Sequence, residues 1–166
     1  MTTTSEEILG EKRDSDSGAP FPTSIGTDQP PLSRTLGWEL GDEQGEPQVL
    51  IDVRDVRYCF VGGAIKARLI EAPWTEHFVF KPVVYFRTDR IVLRSRIRSL
   101  DDVEARSPSR EFLRGNHPIV VNLAKITACD FRGRKKRVAF GTRDRDLEWV
   151  TLSNEGYRLV RSHMGL

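Results

Sequence analysis

From Gln48 to Leu152 the chain is a succession of short apolar runs, most of them closed within a few residues by Gly, Pro, Asn or Asp. This punctuation constrains the fold more than any other feature, because runs this short make strands and leave no room for long amphipathic helices. Val49-Leu50-Ile51-Asp52-Val53 is one run, and residues 56–61 are a second that ends at the turn signal Gly62-Gly63. Residues 64–70 predict a third strand; Pro73-Trp74-Thr75 then breaks the pattern and His77-Phe78-Val79-Phe80 resumes it. Residues 83–86 and 91–93 predict a hairpin around Thr88-Asp89. Arg94, Arg96 and Arg98 alternate, so on one strand they share a face that is solvated or set against phosphates. Further strands are predicted over 119–121, 126–131, 137–140 and 147–152, the last two joined by a polar turn at 141–146.

Two short helices complete the pattern. Ser99 is placed to cap one over 99–104, with acidic residues in its first turn. Ser153 or Asn154 caps the other, whose packing residues are Tyr157, Leu159, Val160 and Met164. Strands that do not alternate with long helices disfavour a parallel α/β sheet, so a mostly β, antiparallel fold of short strands is expected.

Residues 1–46 are of another kind. They are rich in Thr, Ser, Gly, Pro, Asp and Glu and show almost no apolar periodicity. Such a segment buries too little surface to offset its ordering entropy, and it is expected to be a disordered tail, with Trp38 to Leu40 the stretch that packs onto the domain at 47–166. The tail carries three Lys/Arg against ten Asp/Glu, and the body carries the other 23 basic residues against 14 acidic ones. The net charge of +2 therefore conceals an acidic segment on a basic body. Twenty of the 26 basic residues are Arg, the side chain suited to bidentate contacts with phosphate and guanine. The split points to a polyanion-binding domain whose acidic segment competes for the same surface; the alternative is a solvated surface with an incidental tail.

Within the body, FLRGNHPIVVNLAKI at 112–126 joins the polar stretch Arg114-Gly115-Asn116-His117-Pro118, read as a loop, to the buried-type strand Ile119-Val120-Val121. Hydrogen-bonding side chains are thereby held at the lip of a rigid sheet, where a β-protein presents groups to a polyanion. This block resembles the middle signature of the LytTR-type DNA-binding domain of bacterial transcription regulators. Asp55-Val56-Arg57-Tyr58 is similar to the family's opening strand, residues 84–97 to its hairpin, and 150–157 to the approach to its last helix. The resemblance spans about 48–164, and the 112–126 block is its specific part. The chain departs from the pattern at Asn116, Pro118 and Asn154, and its segment at about 61–82 is longer than usual.

The resemblance implies an elongated β-fold that sets loops into successive major grooves of double-stranded DNA, with a dimer on DNA and a regulatory protein as further partners. Asn116 and His117 then contact phosphate or sugar, the alternative being a turn held by side-chain hydrogen bonds. Asn122, last in its strand, is expected to tie down the next turn. Asn154, beside Ser153, either reads adenine or caps the helix. Lys66 and Arg68 in the long segment are candidates for base readout, or outward residues of a strand. Arg134 and Lys135 lie in the basic run 132–137, which is an electrostatic footprint or a solvated hairpin tip; Arg114 and Arg158 complete the candidate surface. Trp74 and residues 78–80 are either a stacking platform for single strands or, the favoured reading, core. A protein-interaction module that keeps the fold without reading DNA is the rival, and an RNA-binding sheet a weaker third reading.

Cys59 and Cys129 belong to no metal or redox motif and read as small hydrophobes of a reducing compartment. No apolar run approaches the roughly 20 residues of a membrane span, and the first residues lack a signal region, so a cytoplasmic protein, nucleoid-associated when bound to DNA, is expected. His77, His117 and His163 lack metal-ligand spacing, and no nucleophile motif or P-loop is present. Neither catalysis nor a cofactor or metal is expected. No receiver domain is legible ahead of the module, so input is expected from expression level, a partner or the acidic segment.

Overall fold

Ile119-Val120-Val121 is apolar at every position because the strand that carries it is covered on both faces. A computed structural model describes residues 34–39, 48–107 and 110–166. Among these, the strands are β1 (Arg34–Glu39), β2 (Gln48–Asp52), β3 (Val56–Val61), β4 (Ile70–Glu71), β5 (Val84–Thr88) and β6 (Val92–Ser95), then β7 (Phe112–Asn116), β8 (Ile119–Asn122), β9 (Ile126–Asp130), β10 (Lys136–Phe140) and β11 (Glu148–Leu152). Helices are α1 (Gly63–Lys66), α2 (Leu100–Arg106) and α3 (Asn154–Met164). Seven strands pair in the order β2-β1-β6-β5-β3-β8-β7 and four in the order β4-β11-β10-β9, every pairing antiparallel.

The two-residue side-chain period sorts the large sheet into two cores. Tyr58, Phe60, Tyr85, Ile119 and Val121 face the small sheet, where they meet Val138, Phe140, Val150, Leu152 and Val160 of α3. Cys59, Val84, Phe86 and Val120 face the other way, against Leu100 and Val103 of α2, with Val49 and Ile51 of β2 packed onto the same cluster. Each fully buried aromatic or aliphatic side chain here contributes roughly 1.5–3 kcal/mol. Ser99 caps α2 by accepting from Asp102 N at 3.2 Å, and Asn122 ties down the turn after β8 by accepting from Ala124 N and donating to Val56 O at 2.8 Å.

The mostly antiparallel fold and the strands at 49–53, 56–61, 83–93, 119–121 and 126–152 are as expected, and several local readings change. Residues 34–39, assigned by sequence to the acidic tail, pair with both β2 and β6, so the sheet crosses the boundary placed at residue 47; the rest of that segment lies outside the described residues. The strand expected over 64–70 is instead the α1 turn. Gly62 enters it so close to the 77–83 segment that a Cβ would lie 2.0 Å from Lys81 O, and strand pairing starts only at Ile70. His77-Phe78-Val79-Phe80 is irregular chain rather than a strand. Finally, β6 ends at Ser95, whose hydroxyl accepts from Ile97 N at 2.9 Å, so Arg96 and Arg98 do not share a strand face with Arg94.

Candidate nucleic-acid interface

Strand register gathers the candidate residues at one end of the small sheet. Lys136 opposes Leu152, so the β9–β10 hairpin tip with Arg134 and Lys135 extends past the end of β11, where Ser153 and Asn154 follow. On the other side of β11, Val150 opposes Ile70 and Thr151 N donates to Leu69 O at 2.8 Å, which brings Lys66 and Arg68 to the same end. The β7–β8 hairpin closes the group: Ser153 N donates to Gly115 O at 2.9 Å and Asn116 Nδ2 to Thr151 O at 3.1 Å.

Helix α3 can dock on β7 only because two glycines meet there. A Cβ on Gly156 would fall 1.9 Å from Gly115 O, and one on Gly115 would fall 2.9 Å from Leu152 Cδ2. Ser153 is the N-cap, accepting from Gly156 N at 2.9 Å; the helix closes on Gly165 at φ 72°, with Arg161 and His163 in its last turn. Asn154 is therefore the first helical residue rather than the cap, and it is exposed.

Gly115 bulges β7, and the stretch read as a loop shrinks to the two-residue turn His117-Pro118. Asn116 is engaged inside the protein, since its Oδ1 accepts from His117 N at 2.8 Å while its amide holds Thr151. His117 is exposed. Arg114 is also engaged: Nη2 lies 2.5 Å from Asp101 Oδ1 and 2.8 Å from Glu104 Oε2, and Nη1 donates to His117 O at 2.7 Å, bracing the turn against α2. Together these groups line an open cleft that also includes Glu155 and Leu159.

Among the basic candidates, Lys66, Arg68, Arg134 and Arg158 are exposed, and Arg68 holds a left-handed backbone at φ 54°. Lys135 is exposed too but sits 3.5 Å from Glu71, a solvent-screened pair of little worth. The hairpin tip is itself anchored: Arg137 bridges Asp130 at 2.8 Å and Glu71 at 3.2 Å beneath the Trp149 ring, and Phe131 packs edge-on to Tyr157 of α3 at 4.9 Å. Trp74 and Phe80 belong to the core, as favoured from the sequence.

Sequence reading passed over Glu148. It is 2% exposed, accepts from Tyr58 Oη at 2.8 Å, Trp74 Nε1 at 3.0 Å and Arg87 Nε at 2.8 Å, and has Arg57 Nη1 at 3.3 Å. Burial pushes the Tyr58 phenol well up, and the charge of Glu148 and the hydrogen bond to it add to the rise, so Tyr58 remains a neutral donor. The network pins the two sheets together at the end opposite the candidate face. Among the described residues no cluster of His, Cys, Asp and Glu is arranged to hold a metal, and no helix is long and apolar enough to cross a membrane.

No family model matches the sequence, and no curated protein does. A solved structure does match: the LytTr DNA-binding domain of a Bacillus cereus protein described as a methyl-accepting/DNA response regulator. It aligns with a TM-score of 0.54 over 80% of this chain and 98% of that domain, at 14% identity. The fold is LytTR-like. The LytTR-like fold expected from the sequence motifs is thus the fold that the coordinates share with a solved LytTR domain, while at this identity the likeness carries the fold and not the contacts. In the LytTR-like frame the 112–126 block forms the β7–β8 hairpin and the turn after it, against which the last helix docks.

Proposed function

We propose that this chain is a sequence-specific, double-stranded DNA-binding transcription regulator whose interface is the end of the small sheet described above. The observation that carries the reading is the convergence there of separate segments, α1 with the residues after it, the β7–β8 turn, the β9–β10 tip and the start of α3, which bear the exposed cations Lys66, Arg68, Arg134 and Arg158. Exposed loops on a stiff double sheet reach base edges while Arg and Lys neutralise phosphates. In this reading Lys66, Arg68 and Asn154 face bases, and His117, Arg134, Lys135 and Arg158 face the backbone. Arg114, Asn116 and Ser153 spend their polar atoms holding the turn and the helix in place. No catalytic role is assigned to any residue.

A protein-interaction module is the second reading, favoured by Asp101, Glu104 and Glu155 around the same cleft, which repel phosphate. Selection from a random duplex library with the full chain separates the two. Enrichment of one sequence family supports the regulator; binding without enrichment, or none, with capture of a protein partner through this cleft, supports the module.

A further inference from the structure

The segment between Trp74 and β5 carries a side chain that the core does not use. Val79 is 94% exposed, yet both of its neighbours are anchored. Phe80 is buried against the rings of Phe60, Trp74 and Tyr85 at 5.7, 5.8 and 5.1 Å, and Phe78 packs edge-on to Phe80 at 6.2 Å. Lys81 N donates to Tyr85 Oη at 2.9 Å, fixing the chain just beyond. An aliphatic side chain is thus held outward on a pinned backbone.

The chain that carries it runs on to the proposed interface. Gly62 N donates to Val83 O at 3.2 Å and Val61 N to Pro118 O at 2.9 Å, so the 77–83 segment borders both the α1 turn with Lys66 and the His117-Pro118 turn. Lys81, two residues on, is exposed as well. Against a duplex, the apolar group available to a side chain among base edges is the thymine C5-methyl in the major groove. A wedge between base steps is made by longer or ring side chains such as Phe, Leu, Ile, Met or Pro, and Val is too short for it.

We infer that Val79 is a specificity residue that recognises a thymine methyl, with Lys81 on the adjacent phosphate; this rests on the DNA-binding reading above. The test uses the duplex enriched by the full chain, with each dT replaced in turn by deoxyuridine, which lacks only the methyl group. Wild type loses about fourfold in affinity at one or two positions, the value of about one buried methyl. Val79→Ser and Val79→Asn, which carry no methyl group, bind the dT and deoxyuridine duplexes alike and keep the wild-type salt dependence. An enriched duplex whose deoxyuridine series is the same for wild type and both variants overturns the inference and leaves the DNA reading standing. No enriched duplex at all overturns both.

Discussion

Tyr58 Oη donates to Glu148 Oε2 over 2.8 Å, joining strands 90 residues apart across the two sheets. Glu148 also takes hydrogen bonds from Trp74 and Arg87, so its charge is held by groups that are all part-buried or buried. Glu148→Gln leaves the Arg87 guanidinium without a counter-charge and Arg57 with Asp89 alone, and a loss of about 3 kcal/mol is expected. Tyr58→Phe, which removes one charge-assisted bond, costs about 2 kcal/mol. Urea unfolding of the two variants measures both; a Glu148→Gln chain as stable as wild type contradicts the strut.

Gly156→Ala drives a methyl into Gly115 O, which lies 1.9 Å from the new Cβ. Backbone meets backbone here, so no side chain can rotate away. The variant is expected to lose about 2 kcal/mol or more and to move α3, with Asn154, away from the His117 turn. Thermal unfolding tests the first effect, and amide hydrogen exchange at Ser153 N tests the second.

Asp89 accepts from Arg57 Nε at 2.7 Å and Lys125 Nζ at 3.1 Å. Partial burial opposes its ionisation, but those two cations outweigh the burial and hold the carboxyl below its ordinary value. A depressed folded pKa contributes stability that is present above the unfolded value of about 3.9 and is lost as pH falls through the folded one. Wild type should therefore exceed Asp89→Asn in stability at pH 7, by less than about 1 kcal/mol because the site is half open to water, and the gap should close below about pH 4. A gap unchanged between pH 7 and pH 3 contradicts this assignment.

The interface divides into reading and positioning groups. Asn154→Ala is expected to relax base preference at one position by about tenfold, the scale of a lost bidentate adenine contact. Arg134→Ala should weaken binding evenly across sequences and lower the salt slope by about 1, as a phosphate contact does. Competition binding against a panel of single-base variants separates the two. Even weakening by both substitutions contradicts the assignment of Asn154.

The sequence made the central strands legible because their alternation is unambiguous: Tyr58 and Phe60 face one core while Cys59 faces the other. It hid β7, since Arg114-Gly115-Asn116 is polar and bulged along the edge of the large sheet, which reads as a loop. The α1 turn was hidden because it depends on contact between Gly62 and Lys81, a tertiary fact. Glu148 escaped notice because a lone carboxylate in a strand reads as solvent-facing, and its partners come from 61 to 91 residues away. For the site, Asn116, His117, Ser153 and Asn154 were found by motif. Only the strand register reveals that Lys66, Arg68 and the 134–135 tip lie at the same end, and that Arg114 and Asn116 already have partners.

The central claim is that a cationic end of this LytTR-like fold binds duplex DNA. Fluorescence anisotropy with the selected duplex, titrated at several salt concentrations, tests it most directly. Neutralising several phosphates gives a straight line of log K against log salt with a slope of about −3 or steeper, made shallower by Arg158→Ala and Arg134→Ala. A slope near zero, or no binding at low salt, would contradict it.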